Sequence, residues 1–227
     1  MFKHDKQLLH PVKCDRPNPN YAQLMQETLG GASGELTAAM QYMAQSFRVR
    51  DPEIRDLMLD IAAEELSHME MVAQTINLLN GSELVGTGAT VGSVEAMTTG
   101  GLGPQLANSS GHPWTGAYVS NTGDLAADLL SNIAAEQRAK VVYEYLYRQI
   151  NDTGVRQTIE FLLNREEAHS ALFREAFNRI RDTGSQKDFG VERHARQYFD
   201  LSTPGRFFDR PTPTPPSFSR PEGSPMQ

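Results

Sequence analysis

Two Glu-x-x-His pairs are the residues of this chain best suited to metal chemistry. Glu65 and His68 form the first pair, and Glu166 and His169 repeat its spacing further along the chain. On a helix this spacing places both side chains on one face, about one turn apart. Each pair falls on an apolar stripe, where a charge is costly unless it is paired or binds a metal. One pair alone is more simply a solvated ion pair, whereas the repeat favours a metal site.

Two other predicted helices each carry a single glutamate on the apolar stripe, Glu35 in the first and Glu136 in the third. The order along the chain is therefore Glu, Glu-x-x-His, Glu, Glu-x-x-His. This order is the pattern of ferritin-like four-helix bundles that hold two iron or two manganese ions between carboxylates. The spacing alone does not choose between iron and manganese.

Four helices must position these side chains. The predicted helices cover about 21–50, 52–80, 122–150 and 153–181 within a bundle of residues 21–184. Glu35 and Glu65 each lie about fifteen residues from the break between their helices, which is about 22 Å along each helix. Glu136 and Glu166 lie at similar distances from the turn between theirs. In antiparallel hairpins equal distances mean equal height, so we expect all the acidic groups in one layer.

Three glycines interrupt the first predicted helix just before its glutamate, at Gly30, Gly31 and Gly34. Interior glycines cost about 1 kcal/mol each relative to alanine, so they need a reason. We expect a close approach of another backbone that leaves room beside the metal layer. The alternative is a kinked or locally broken helix.

The segments outside the helices predict the rest of the fold, an all-α ferritin-like four-helix bundle with a long glycine-rich crossover and an extended C-terminal tail. Residues 1–20 read as an extended arm. Residues 81–121 form the crossover, and ten glycines fall between Gly81 and Gly123. The tail, 185–227, is rich in proline and cannot build a core. It is either disordered or, as its phenylalanines favour, an arm laid along a neighbouring subunit.

The composition limits the function classes. The 227 residues carry a net charge of −7, which argues against nucleic acid as the main partner. No apolar run is long enough to span a membrane, and no signal sequence is evident, so we expect a cytoplasmic protein. The single cysteine, Cys14, excludes an internal disulfide framework. No glycine-rich phosphate loop or hydrolase nucleophile motif appears.

The sequence resembles the manganese catalases over all four predicted helices. The shared segments include Met-Phe-Lys-His at the start, Glu-Thr-Leu-Gly-Gly before Glu35, and Leu-Asp-Ile-Ala-Ala-Glu-Glu-Leu-Ser-His-Met-Glu-Met around the first pair. Gly-Ala-Tyr-Val-Ser in the crossover and Phe-Leu-Leu-Asn-Arg-Glu-Glu-Ala-His at the second pair also match. The resemblance implies two manganese ions per subunit that disproportionate hydrogen peroxide to water and dioxygen. It implies these ligands: Glu35, Glu65 (bridging), His68, Glu136 and His169.

The resemblance also assigns roles around the metals. Glu166 is implied to be an acid–base group beside the bridging solvent, whereas the symmetric di-iron pattern would make it a ligand. Tyr42 matches a tyrosine that hydrogen-bonds near the site, and its alternative is an ordinary core-edge tyrosine. The implied cycle alternates between Mn(II)Mn(II) and Mn(III)Mn(III) in a homohexamer. Some members carry an arginine where this chain has Ala135, which leaves the control of substrate access open.

A second kind of ion is also implied. Asp56 and Asp60 match calcium-binding aspartates of some members, and the segment from Asp200 to Ser202 resembles the part that completes that site. Oxygen ligands of this kind suit calcium. The alternative is a solvated acidic face.

Two other functions compete with the catalase hypothesis. One is a ferritin-like protein that binds or stores iron, and the other is a coat-like structural protein. Bound manganese with oxygen release from peroxide in the absence of haem would favour the catalase. Iron uptake into a closed cage would favour storage.

Overall fold

The computed structural model describes residues 4–81 and 103–182, and within these ranges the regular structure is helical. The all-α prediction is therefore confirmed. None of the described helices is both long enough and apolar enough to cross a membrane. The elements are α1 (Pro19–Gly30), α2 (Glu35–Ser46), α3 (Pro52–Asn80), a 3-10 turn (Gly116–Tyr118), α4 (Leu125–Gln149) and α5 (Thr153–Asp182).

The helices pack as two hairpins. α1 and α2 lie against α3, and α4 pairs with α5 through the short turn at 150–152. α3 begins where the sequence predicts its second helix, because the side chain of Asp51 accepts hydrogen bonds from the N–H groups of Glu53 and Ile54. It ends at Gly81, whose φ of 74° favours glycine.

Two apolar clusters fill the bundle, one on each side of an intervening layer. The first cluster contains residues from 54–62 of α3 and from 173–180 of α5. The second contains residues from 71–79 of α3 and from 155–162 of α5. Burying one such side chain fully contributes about 1.5–3 kcal/mol. The buried polar side chains of the two Glu-x-x-His pairs fall between the clusters on both helices. The cores therefore enclose that layer from above and below.

The prediction of one unbroken helix over 21–50 is wrong. α1 ends at Gly30, the chain turns at Gly31, and α2 begins at Glu35. The break lets the hydroxyl of Thr37 and the N–H of Gly34 donate to the carbonyl of Gly31. The expected close approach is confirmed, because a Cβ on Gly30 would lie 2.4 Å from a backbone atom of the crossover. Glu35 thus becomes the first residue of a helix, where the helix dipole stabilises a carboxylate.

A closed ring of amide hydrogen bonds ties the crossover to α2 and α4. Gln41 donates to Asn132 over 2.9 Å, and Asn132 donates to Gln45 over 2.7 Å. Gln45 donates to the carbonyl of Ser120, whose N–H returns a hydrogen bond to Gln41. Each of the three side chains is buried and both ends of its amide are paired within the ring. The ring therefore fixes the described end of the crossover beside the bundle.

Replacing Asn132 by leucine should destabilise the fold strongly. The change leaves a buried donor on Gln41 and a buried acceptor on Gln45 unpaired, at about 1–3 kcal/mol for each group. We expect the free energy of unfolding in urea to fall by about 2–6 kcal/mol. The exposed Asn164 on α5 supplies the control, because Asn164→Leu should change the same quantity by only about 0.5 kcal/mol. Equal effects of the two substitutions would contradict the role of the ring.

The predicted tail, 185–227, and the crossover residues 82–102 lie outside the described residues. The predicted end of the last helix at Gly184 lies there too. The described helices belong to one compact unit, Met1–Gly184.

Candidate metal centre

Six acidic and imidazole side chains meet in the layer between the apolar clusters, as the equal distances from the turns predict. At most 2% of any one of them is exposed. α2 contributes one from its first turn, α3 and α5 each contribute a Glu-x-x-His pair, and α4 contributes one. They are Glu35, Glu65, His68, Glu136, Glu166 and His169.

The six side chains form two groups that share Glu65. Its Oε2 lies 2.9 Å from Nδ1 of His68, and its Oε1 lies 2.8 Å from Nδ1 of His169. The two imidazole rings are stacked with their centroids 5.6 Å apart. One group adds Glu35 and Glu166 to this framework, and the other adds Glu136. Within each group one ligand atom per residue lies within 4.8 Å of the others, which suits a metal ion.

Several buried polar atoms of this layer lack the hydrogen bonds that buried groups normally make. They include Oε1 of Glu65, both carboxylate oxygens of Glu136, Oε1 of Glu166 and both ring nitrogens of His169. Such atoms are costly unless another partner binds them. Carboxylate oxygens and imidazole nitrogens are the donors that manganese, iron and zinc accept. The residues present therefore fit a pair of divalent cations.

Three carboxyl groups of this layer have raised pKa values. Burial, followed by repulsion from Glu65, raises the pKa of Glu35 to about 8. The same two causes raise the pKa of Glu136 to about 7 and that of Glu166 well above its usual range. Glu35 and Glu166 are therefore largely neutral near pH 7, and Glu136 is about half-protonated, until a cation replaces their protons.

The shared carboxylate and its histidines behave in the opposite way. Burial opposes the charge on Glu65, but the facing imidazoles of His68 and His169 outweigh it and hold the pKa of Glu65 well below its usual range. Burial likewise opposes the charge on His169, yet its close contacts with the carboxylates of Glu64 and Glu65 raise its pKa to about 10. The metal-free layer thus contains protonated imidazoles around one carboxylate.

Binding of manganese should therefore expel protons. Glu35 and His169, with pKa values of about 8 and 10, carry protons at neutral pH and must lose them to ligate. We expect the affinity for Mn(II) to rise from about pH 6 to about pH 8, by about tenfold per pH unit for each proton displaced. Calorimetric titrations in buffers of different ionisation enthalpy measure the number of protons released. Binding heats that do not depend on the buffer would contradict this expectation.

Two tyrosines complete the layer in a reciprocal arrangement. Tyr42 of α2 is fully buried beside Glu136 of α4, although its hydroxyl makes no well-aligned hydrogen bond. Tyr143 of α4 donates a hydrogen bond to Glu35 of α2. The apolar period of the third predicted helix predicts only that Tyr143 packs in the core. Its spacing could have identified Tyr143 as a residue of the layer, because it follows Glu136 by the same seven residues that separate Tyr42 from Glu35.

A small cavity of about 20 Å³ leads to the layer between α2, the 3-10 turn and α4. Glu166 and Tyr42 line it, and so do Ala135, Tyr118 and the exposed Arg138. Arg138 lies two residues after Glu136, so helical geometry predicts that it points away from the ligands, but the structure places it on the wall of this cavity. A volume of this size holds about one small molecule such as water.

Two of the four predicted calcium ligands, Asp56 and Asp60, lie in the described part of the chain. Asp56 and Asp60 are both exposed on α3, and Asp56 accepts two hydrogen bonds from Arg55 at 3.0 and 3.1 Å. Asp200 and Ser202 lie outside the described residues. Calcium binding stays a prediction.

A bundle of this kind around a buried carboxylate and histidine layer belongs to the ferritin-like class of helical proteins. A bacterioferritin from Desulfovibrio desulfuricans shares the fold with a TM-score of 0.53, at 19% identity over 74% of this chain and 86% of that chain. A profile described as manganese containing catalase matches residues 1–206. The chain belongs to this manganese-containing catalase family.

Individual relatives agree with this assignment. The chain is 66% identical over 223 residues to a probable manganese catalase from Clostridium acetobutylicum, covering 97% of this chain and 99% of the relative. The crystal structure of KatB, a manganese catalase from Anabaena, matches with a TM-score of 0.75 at 39% identity, covering 85% of this chain and 86% of that one. The ferritin-like fold and the catalase hypothesis are confirmed, and the comparisons favour the catalase over the iron-storage and coat-like alternatives.

Proposed function

We propose that this chain disproportionates hydrogen peroxide to water and dioxygen at two manganese ions per subunit. The observation that carries the proposal is the carboxylate of Glu65, each of whose oxygens faces a different buried histidine. This arrangement gives two ligand groups with one member in common, as a bridged pair of ions requires.

The proposed ligands divide between the two ions. Glu35 and His68 would hold one ion, Glu136 and His169 would hold the other, and Glu65 would contribute one carboxylate oxygen to each. When bound, manganese ions that change between the divalent and trivalent states supply the two-electron exchange that disproportionation needs. The hydrogen bond from Tyr143 orients Glu35, and the burial of Tyr42 keeps a second hydroxyl beside Glu136.

Glu166 is proposed to move the protons. Reduction of one peroxide to two waters consumes two protons, and oxidation of the next to dioxygen releases two. A group that stores one of these two protons between the steps must be buried beside the ions, and Glu166 is 1% exposed and lines the cavity. Its Oε1 lies 3.9 Å from Nδ1 of His68, so direct ligation is the alternative that a test must separate.

The narrow cavity supports peroxide as the substrate. Its volume of about 20 Å³ is that of about one water-sized molecule, which suits a substrate as small as hydrogen peroxide. Ala135 and Tyr118 both line this cavity. A homohexameric assembly and a cytoplasmic location, both from the family resemblance and the composition, complete the proposal.

The test is metal analysis combined with an oxygen electrode. Protein purified from manganese-supplemented cells should contain about two manganese ions per chain and no haem, and should release dioxygen from peroxide. Resistance of this activity to cyanide separates it from a haem catalase contaminant. Protein that takes up iron into a closed cage and releases no dioxygen would overturn the proposal in favour of storage.

A further inference from the structure

Glu64 contacts both histidines of the layer on the side away from Glu65. Its Oε1 lies 3.4 Å from Nε2 of His68, and its Oε2 lies 3.2 Å from Nε2 of His169. Both contacts are within ion-pair distance but lack the alignment of a full hydrogen bond. The two rings come from different helices, α3 and α5. Each imidazole therefore lies between two consecutive glutamates, Glu65 at Nδ1 and Glu64 at Nε2.

A guanidinium group holds Glu64 in this place. Nε of Arg165 donates to Oε1 of Glu64 over 2.6 Å, and Nη2 donates to Oε2 over 3.3 Å. A planar two-point pair of this kind fixes the orientation of a carboxylate as well as its position. Each oxygen of Glu64 consequently has one guanidinium nitrogen and one imidazole nitrogen as neighbours. The side chain of Glu64 is 26% exposed and that of Arg165 is 35% exposed, so the pair closes the layer from outside.

We propose that Glu64, oriented by Arg165, is a positioning residue shared by both metal sites. A neutral imidazole carries one proton, and a carboxylate at Nε2 keeps that proton there, which leaves the lone pair of Nδ1 for an ion. One carboxylate performs this for both histidines, so the two ions receive matched ligands. The inference rests on the proposed dinuclear site and adds Glu64 and Arg165 to it.

The test compares two substitutions at Glu64 in the manganese-loaded protein. Dissociation constants for both ions are measured by chelator competition, and the spin-coupled Mn(II) pair is recorded by electron paramagnetic resonance. Glu64→Ala should weaken both ions by about 10–100-fold. Glu64→Gln keeps one oxygen and presents an amide N–H to the other ring, so it should weaken one ion by about the same factor and spare the other.

Arg165→Met tests the orienting role. It should weaken both ions by a smaller factor than Glu64→Ala and should add nothing in the Glu64→Ala background, because Arg165 acts only through Glu64. The matched control is Glu53→Gln, which removes the carboxylate of another arginine–glutamate pair between α3 and α5, Glu53 with Arg179. The control should leave both dissociation constants and the spectrum unchanged.

The outcomes separate the inference from the proposed function. Wild-type constants and spectrum in Glu64→Ala would overturn the inference, and so would an equal loss in the control variant. A lower unfolding temperature with an unchanged spectrum would give Glu64 a packing role only and would also overturn it. Failure of the wild-type protein to bind two manganese ions would instead overturn the proposed function, and the inference with it.

Discussion

Replacing Glu166 by glutamine should abolish turnover while the protein keeps its manganese. Glutamine has nearly the same shape but cannot take up or release the proton that the two half-reactions exchange. General acid–base catalysis typically contributes about 10²–10⁴-fold, so we expect kcat for oxygen release to fall by about that factor. Elemental analysis should still find about two manganese ions per chain, because Glu166 is not among the proposed ligands.

The metal content decides between the two roles that geometry allows for Glu166. Loss of about half of the manganese together with activity would make Glu166 a ligand, as in the symmetric di-iron pattern. The neighbouring Glu167 provides the control, because it is exposed and pairs with Lys140 on the bundle surface. Glu167→Gln should change neither kcat nor metal content.

Replacing Glu65 by glutamine should remove both ions. Residue 65 is fully buried, and an amide there carries no charge to balance two dications. The amide also offers only one oxygen where two are needed. We expect manganese to fall from about two ions to well under one per chain, with a loss of activity on the order of 10³-fold or more. Metal analysis after gel filtration in the absence of free manganese measures the first quantity.

Glu136→Gln is the comparison that makes this result specific. Glu136 belongs to one ligand group only, so its substitution should release about one ion and leave the other bound. Equal metal loss in the two variants would contradict the bridging role of Glu65. Circular dichroism of both variants checks that the helices persist.

The sequence predicts the layer well because helical period and distance from the turns determine where a side chain meets its neighbours. Glu65 and His68 had to share a face, and equal distances from the turns brought Glu35 and Glu136 to the same height. The helix break at 31–34 was harder to predict, since consecutive glycines are compatible both with close packing and with a broken helix. The structure shows both, because the helix is broken after Gly30 and the crossover backbone contacts Gly30 from more than seventy residues away in the chain.

Glu64 shows a second limit of sequence reasoning. It lies off the apolar stripe of its helix, so its position in the sequence does not distinguish it from a solvated glutamate. Its partners, Arg165 and His169, belong to the other hairpin and become visible only when α3 and α5 pack together. Tyr143 differs, because its spacing from Glu136 repeats a pattern already present at Glu35 and Tyr42.

The amide ring at Ser120 has a consequence for how molecules reach the metals. Tyr118 on the cavity wall is two residues from Ser120, which is tied to Gln41 and Gln45. This anchor restricts how far the neighbouring part of the cavity wall, at Tyr118, can move.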